Sequence, residues 1–252
     1  MELLEREDLI RELERYWFGA KSGSGALIFV AGESGAGKSA LISVFREAIE
    51  ADGRMLVGMC DPISTPPPLG PLFDLASSAG EAFEQLVSKE SRRERLFPAI
   101  LSELRSIPTC LFIEDIHWAD EATFDLLRYL GRRVDRAPVL IVVTYRSEVV
   151  SLPLRTLLGD LSTAGRIIRM TVKPLSVQAV RAMAKDLIDD PDEIHRITGG
   201  NPFLSPRFWR PGIQVFQRLF ATRSRRECTN WPQKRSRFSK QRRSPVLSPT
   251  SG

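Results

Sequence analysis

Eight residues restrict this chain to a narrow set of folds: Gly32-Glu33-Ser34-Gly35-Ala36-Gly37-Lys38-Ser39. They fit the pattern GxxxxGK(S/T) at every fixed position. Glycines let the backbone curl until successive N–H groups point inward at an anion. The lysine adds a point charge for terminal phosphates, and the serine hydroxyl can complete the shell of a magnesium ion. The pattern needs a strand before it and a helix after it. Ala26 to Ala31 is a short apolar run of the kind a buried parallel strand requires, and residues 40–49 place apolar side chains at helical spacing. The disfavoured alternative is a glycine-rich turn between a strand and a helix that binds nothing.

Apolar residues make up 42% of the 252-residue chain and charged ones 27%, enough to bury a sizeable core. The net charge of +5 hides an asymmetry: residues 1–204 carry 24 Lys/Arg against 30 Asp/Glu, and residues 205–252 carry 12 against the single acid Glu227. The basic character therefore belongs to the last segment. Cys60, Cys110 and Cys228 are scattered, with no CxxC pair, which argues against a disulfide framework or a zinc site and fits a reducing compartment. The acidic opening is unlike a secretory signal, and no apolar run is long enough to span a membrane. A cytoplasmic protein with no membrane partner is the expectation.

Taken in order, residues 3–18 place Leu3, Leu4, Leu9, Ile10, Leu13 and Trp17 at helical spacing. Gly19 to Gly25 reads as a flexible joint. Arg54 to Met59 reads as a second strand. Five prolines between Pro62 and Pro71 then make a stiff loop, best taken as a plain connector, before a helix near Leu72–Ser78. Residues 81–106 look helical, with Pro98 as a candidate break. Cys110 to Asp115 is a short apolar strand ending in two acids, Glu114 and Asp115. A carboxylate at the end of a parallel strand can reach a metal or water at a phosphate loop, which makes this a candidate Walker B strand; which acid does what stays open. A lone histidine is usually structural, so His117 is not assigned to chemistry. Residues 121–133 form an amphipathic helix whose Arg132 and Arg133 favour its C-terminus; an arginine finger is the less favoured alternative. Val139 to Thr144 is rich in β-branched residues and ends in Tyr145-Arg146. Arg146 is either a phosphate sensor or an ordinary strand-end arginine. Arg166 to Val172 is a fifth strand, and residues 176–198 read as two short helices broken at Pro191. Five strands with helices between them call for an α/β fold with a parallel sheet.

These elements resemble the AAA-type ATPase module of the signal-transduction ATPases with numerous domains, as in large ATP-binding transcriptional regulators of the LuxR and MalT type. The resemblance covers residues 1–204. It rests on "EREDLIREL", "GESGAGKS", "LFIEDIHWAD", "VTYRSE", "VKPLS" and "TGGNPF", in that order. Glu5 departs from the pattern, standing where the family usually has Gly. The resemblance implies a P-loop NTPase with a five-stranded parallel sheet of order 5-1-4-3-2, flanked by helices and carrying a partial helical lid. It also implies that Gly32 to Ser39 bind ATP or ADP and that Ser39 and Glu114 hold Mg2+. Glu114 and Asp115 would order the metal and the attacking water, and Arg146 would sense the terminal phosphate. Pro202 would lie near the base, with Arg6 walling that pocket. Family members act as switches that exchange ADP for ATP and then self-associate, with slow hydrolysis.

The resemblance stops at Leu204. The organisation expected is an ATPase domain over residues 1–175, a partial lid over 176–204 and a basic low-complexity tail over 205–252. That tail, with Phe208, Trp209, Trp231 and Phe238 among arginines, is a nucleic-acid-binding segment, a disordered tail or a frameshift product; the abrupt compositional break favours the last. The function expected is a nucleotide switch with slow ATP hydrolysis that lacks its output domain. The alternatives are a nucleic-acid-binding protein using the tail, or an inactive fragment.

Overall fold

A computed structural model describes residues 3–89, 92–162, 167–184 and 190–203; the tail over 205–252 lies outside the described residues. Five strands, β1 (Ala26–Gly32), β2 (Arg54–Met59), β3 (Thr109–Glu114), β4 (Val139–Arg146) and β5 (Ile167–Thr171), form one sheet of order β2-β3-β4-β1-β5. Every neighbouring pair is parallel. This is the expected 5-1-4-3-2 order, read from the other edge. Parallel strands packed on both faces need apolar side chains throughout, and β3 is buried along its whole length.

Alternation along each strand divides the core between two faces. One face carries Leu27, Phe29, Leu111, Ile113, Ile141 and Val143. It is covered by α3 (Gly70–Ala79), α4 (Glu81–Lys89), α5 (Arg93–Leu104), α6 (Glu121–Gly131) and α7 (Leu152–Leu161). The other carries Ile28, Val30, Cys110, Phe112, Leu140 and Val142, covered by α1 (Glu7–Lys21) and α2 (Lys38–Ile49). Beyond β5, α8 (Val177–Ala184) and α9 (Pro191–Thr198) share a small cluster of Leu175, Ala179 and Val180 with Leu4 of the opening segment.

Two local expectations are corrected. Pro98 does not break a helix: α5 runs through it from Arg93 to Leu104. The helix loses one backbone hydrogen bond there, and burial of Leu96, Phe97, Ile100, Leu101 and Leu104 on its core face outweighs the loss. The joint at 19–25 is shorter than expected, because α1 continues to Lys21 with Ala20 fully buried. Gly25 is held by close approach, since a Cβ there would fall 2.1 Å from the Val134 carbonyl oxygen. By contrast, Pro191 opens α9 at its first helical position, as the sequence suggests, and the Asp190 side chain caps it by accepting from the N–H groups of Asp192 and Glu193.

Candidate nucleotide site

Parallel pairing sets the C-terminal ends of the central strands side by side. Gly32 is in register with Arg146, and Met59 with Glu114. The loop from Gly32 to Ser39 rises from β1 and turns into α2, with Gly35 at φ 81° and Gly37 at φ 96°. Both lie in the left-handed region, where a side chain is disfavoured. The N-terminus of α2 has no side-chain cap among the described residues, so its first N–H groups face the loop, the arrangement that binds anions.

Lys38 is 92% buried, and its ammonium donates to the carbonyls of Gly32 (2.8 Å) and Glu33 (2.9 Å). Ser39 Oγ donates to Glu114 Oε2 at 3.4 Å, and Glu114 is buried at the end of β3. Two oxygens that share an octahedral magnesium ion stand about 3.0 Å apart in adjacent positions, because Mg–O bonds are about 2.1 Å. The Ser39–Glu114 pair is therefore near the spacing such an ion needs. Among the described residues, no cluster of three or more His, Cys, Asp or Glu could hold a metal. A cation here would draw its other ligands from phosphate and water, as magnesium commonly does.

Asp115 follows β3 in the left-handed region, φ 57°, and its backbone N–H donates to Thr144 Oγ on β4 at 3.0 Å. This bond ties the acid pair to the strand that delivers Arg146. Arg6 is almost fully buried, and its guanidinium donates to the carbonyls of Ala36 (3.3 Å) and Lys173 (2.5 Å). Burial lowers its pKa, and Glu5 and Glu7 oppose that shift. Arg6 thus fastens the phosphate loop to the segment after β5. Glu5, at φ 58°, takes a conformation that glycine adopts more readily. Its carboxylate accepts from the Ser176 hydroxyl and, at 2.9 Å, from the Ser176 N–H.

The turn after α9 lies on the loop. Asn201 Nδ2 donates to the Ser34 carbonyl at 2.7 Å, and Asn201 Oδ1 accepts from the Phe203 N–H at 3.0 Å. Pro202 lies over Gly37. The Ser34 N–H donates to Glu148 Oε1 at 2.8 Å. Burial would raise the Glu148 pKa, but hydrogen bonds from its own backbone and from Ser34, with Lys38 nearby, outweigh it and hold the carboxyl below the usual range.

Arg6, Glu114 and Pro202 thus meet the loop through contacts of their side chains, while Asp115 follows Glu114 at the end of β3 and Arg146 is in register with Gly32. Asn201 and Glu148 were not singled out, although they stand inside "TGGNPF" and "VTYRSE". No chemical pattern marks either one, because their partners are backbone groups of a distant loop. The sequence reads His117 as structural. Its side chain is fully buried, with Nδ1 3.9 Å from Asp115 Oδ1. Burial, with the positive charges of Arg146 and Lys38, lowers its pKa to about 4, and Glu148 partly opposes this.

A family model described as AAA ATPase domain matches residues 2–142, more than half of the chain. The chain belongs to the AAA ATPase domain family. This AAA ATPase domain is similar to an uncharacterized protein of Rhizobium meliloti (strain 1021), 25% identical over 254 aligned positions that cover 79% of this chain. The chain spans only 24% of that relative's length. Among solved structures, the ORC2 protein of Aeropyrum pernix, in ADPNP-ADP complexes, matches with TM-score 0.56 and 13% identity, over 81% of this chain and 60% of that one. A signal transduction ATPase with numerous domains that carries a tetratricopeptide repeat sensor, from Pyrococcus horikoshii, matches with TM-score 0.52 and 18% identity, over 82% and 31%. The ORC1 protein of Aeropyrum pernix in complex with DNA matches with TM-score 0.53 and 19% identity, over 82% and 56%. At these identities the likeness is one of fold. No helix among the described residues is long and apolar enough to cross a membrane.

Proposed function

We propose that this AAA ATPase domain is a nucleotide switch that binds ATP and ADP with Mg2+ and hydrolyses ATP slowly. The observation that carries the reading is the convergence of Lys38, Ser39 and Glu114 at one end of the sheet, with Arg146 in register with the first glycine of the loop. The amides of Gly35 to Ser39 cradle phosphates, and the Lys38 ammonium neutralises the terminal ones. Ser39 and Glu114 hold the magnesium ion, which when bound offsets phosphate charge. Asp115 orients the attacking water, and Arg146 senses the terminal phosphate. Pro202 and Arg6 close the nucleotide pocket from the lid and opening-segment sides. As in the signalling ATPases the chain resembles, exchange of ADP for ATP drives self-association. A regulator of the LuxR or MalT type is the context this sequence fits.

The test is ATP and ADP affinity, with turnover, for the full chain and for Lys38→Ala. Micromolar binding that Lys38→Ala abolishes is expected; no binding by the unaltered chain overturns the reading. A second reading, nucleic-acid binding, is favoured by the 12 Lys/Arg in residues 205–252 and by the fold shared with an ORC1 protein solved with DNA. It requires affinity that falls steeply with salt and disappears when residues 205–252 are deleted.

A further inference from the structure

We infer that His117 reads the terminal phosphate of the bound nucleotide and connects that site to a surface cavity through Trp118. The inference rests on the nucleotide-binding reading above. Its starting point is an imbalance in hydrogen bonding. The His117 imidazole is fully buried, yet neither Nδ1 nor Nε2 has a hydrogen-bond partner among the described residues. Buried polar side-chain atoms are nearly always satisfied, and each one left unpaired costs on the order of 1–3 kcal/mol. A leucine would fill the same space without that cost. An imidazole with two orphaned nitrogens therefore points to a polar group that arrives from elsewhere.

Its neighbours show which group would fit. His117 stands two residues beyond Asp115, whose backbone is held by Thr144. The charged groups acting on it come from every side of the site: Asp115 at the end of β3, Lys38 on α2, Arg146 at the end of β4, and Glu148 just beyond. The positive charges of Arg146 and Lys38 act on this ring, and cations gathered at a phosphate loop favour an anion there. The diphosphate moiety common to ATP and ADP is served by the loop amides, so the group that Lys38, Arg146 and His117 share is the terminal phosphate. A ring N–H donating to a phosphate oxygen satisfies one orphaned atom and distinguishes triphosphate from diphosphate.

The same short turn leads outward. The rings of His117 and Trp118 are 5.2 Å apart. Trp118 is 37% exposed and lines a cavity of about 220 Å3 together with Cys60, Ile63, Pro67, Phe73 and Asp74. None of the cavity's lining residues belongs to the phosphate loop. The His117–Trp118 ring contact is the route by which the phosphate site would reach that surface.

The chain has two histidines, His117 and His195, so ring-nitrogen magnetic resonance of the full chain labelled with 15N-histidine is simple to assign with a His195→Gln variant. Titration with a non-hydrolysable ATP analogue and Mg2+ is expected to shift the His117 ring signals, and ADP with Mg2+ to shift them little. His117→Leu is expected to weaken analogue binding about tenfold or more, the value of one hydrogen bond to a charged group, and to leave ADP affinity within about twofold. His117→Gln, which keeps a donor, is expected to recover part of the loss. If the unaltered chain binds both nucleotides and its His117 signals respond to neither, or to both alike, the inference is wrong while the nucleotide reading stands. If it binds neither nucleotide, both fail. Should His117→Leu not fold, the spectra of the unaltered chain decide.

Discussion

Gly35→Ala is the sharpest structural probe of how the phosphate loop and the turn after α9 depend on each other. Gly35 sits at φ 81°, and a Cβ there would lie 2.6 Å from Asn201 Oδ1 and 2.6 Å from Phe203 Cβ. Two costs follow. Holding an alanine in the left-handed region costs about 1–2 kcal/mol. The collision adds a second cost, limited by what is lost if the turn moves away, namely the Asn201–Ser34 hydrogen bond, about 0.5–1.5 kcal/mol. Gly23 supplies the control, because it has φ 85° and nothing within 4 Å of its Cβ position. Gly23→Ala should cost only the backbone term. Urea denaturation of the full chain should therefore show Gly35→Ala destabilised more than Gly23→Ala by roughly 1 kcal/mol. Hydrogen exchange should locate the difference, with faster exchange at the Asn201 and Phe203 amides in Gly35→Ala alone. Equal destabilisation with unchanged exchange at 201–203 would refute the idea that this turn is seated on the loop.

Arg6→Met should destabilise the protein by about 2–3 kcal/mol, read from the shift in the denaturation midpoint, because it strands the Ala36 and Lys173 carbonyls in a buried setting. His117 gives stability a pH dependence: its folded pKa of about 4 lies below the unfolded 6.5, so the unfolded chain binds more protons between those values. The stabilisation is complete above pH 6.5, falls as pH drops to about 4, and amounts to at most about 3 kcal/mol. Glu5 and Glu148, held below 4.5, add their own losses only at lower pH. His117→Leu should flatten the stability profile between pH 6.5 and 5; an unchanged slope there would contradict the burial of a neutral imidazole among Asp115, Lys38, Arg146 and Glu148. Asp115→Asn should keep ATP affinity and lower turnover by about a hundredfold or more, roughly the contribution of a positioned acid or base; parallel loss of binding and turnover would remove Asp115 from that role.

By itself, the sequence determined the sheet and the loop. Continuous apolar runs mark strands buried on both faces, and the glycine-lysine-serine pattern has few other uses, so β1, β3, β4 and the loop at 32–39 could be placed from local chemistry. It misjudged positions where packing overrides propensity. Pro98 stays inside α5 because five apolar side chains hold that helix to the core, and Gly19 stays in α1 because Ala20 and Trp17 are buried around it. Tertiary structure decided how the loop is held. Arg6, Glu148 and Asn201 all act on loop backbone groups from residues 30 to 167 positions away, and a backbone carbonyl or N–H leaves no mark in a sequence. It also decided the status of His117: the motif shows a histidine after two acids, but only the packed chain shows both ring nitrogens buried without a hydrogen-bond partner among the described residues. Local patterns report what a residue is; the cost of leaving its polar atoms unpaired depends on what the rest of the fold places around them.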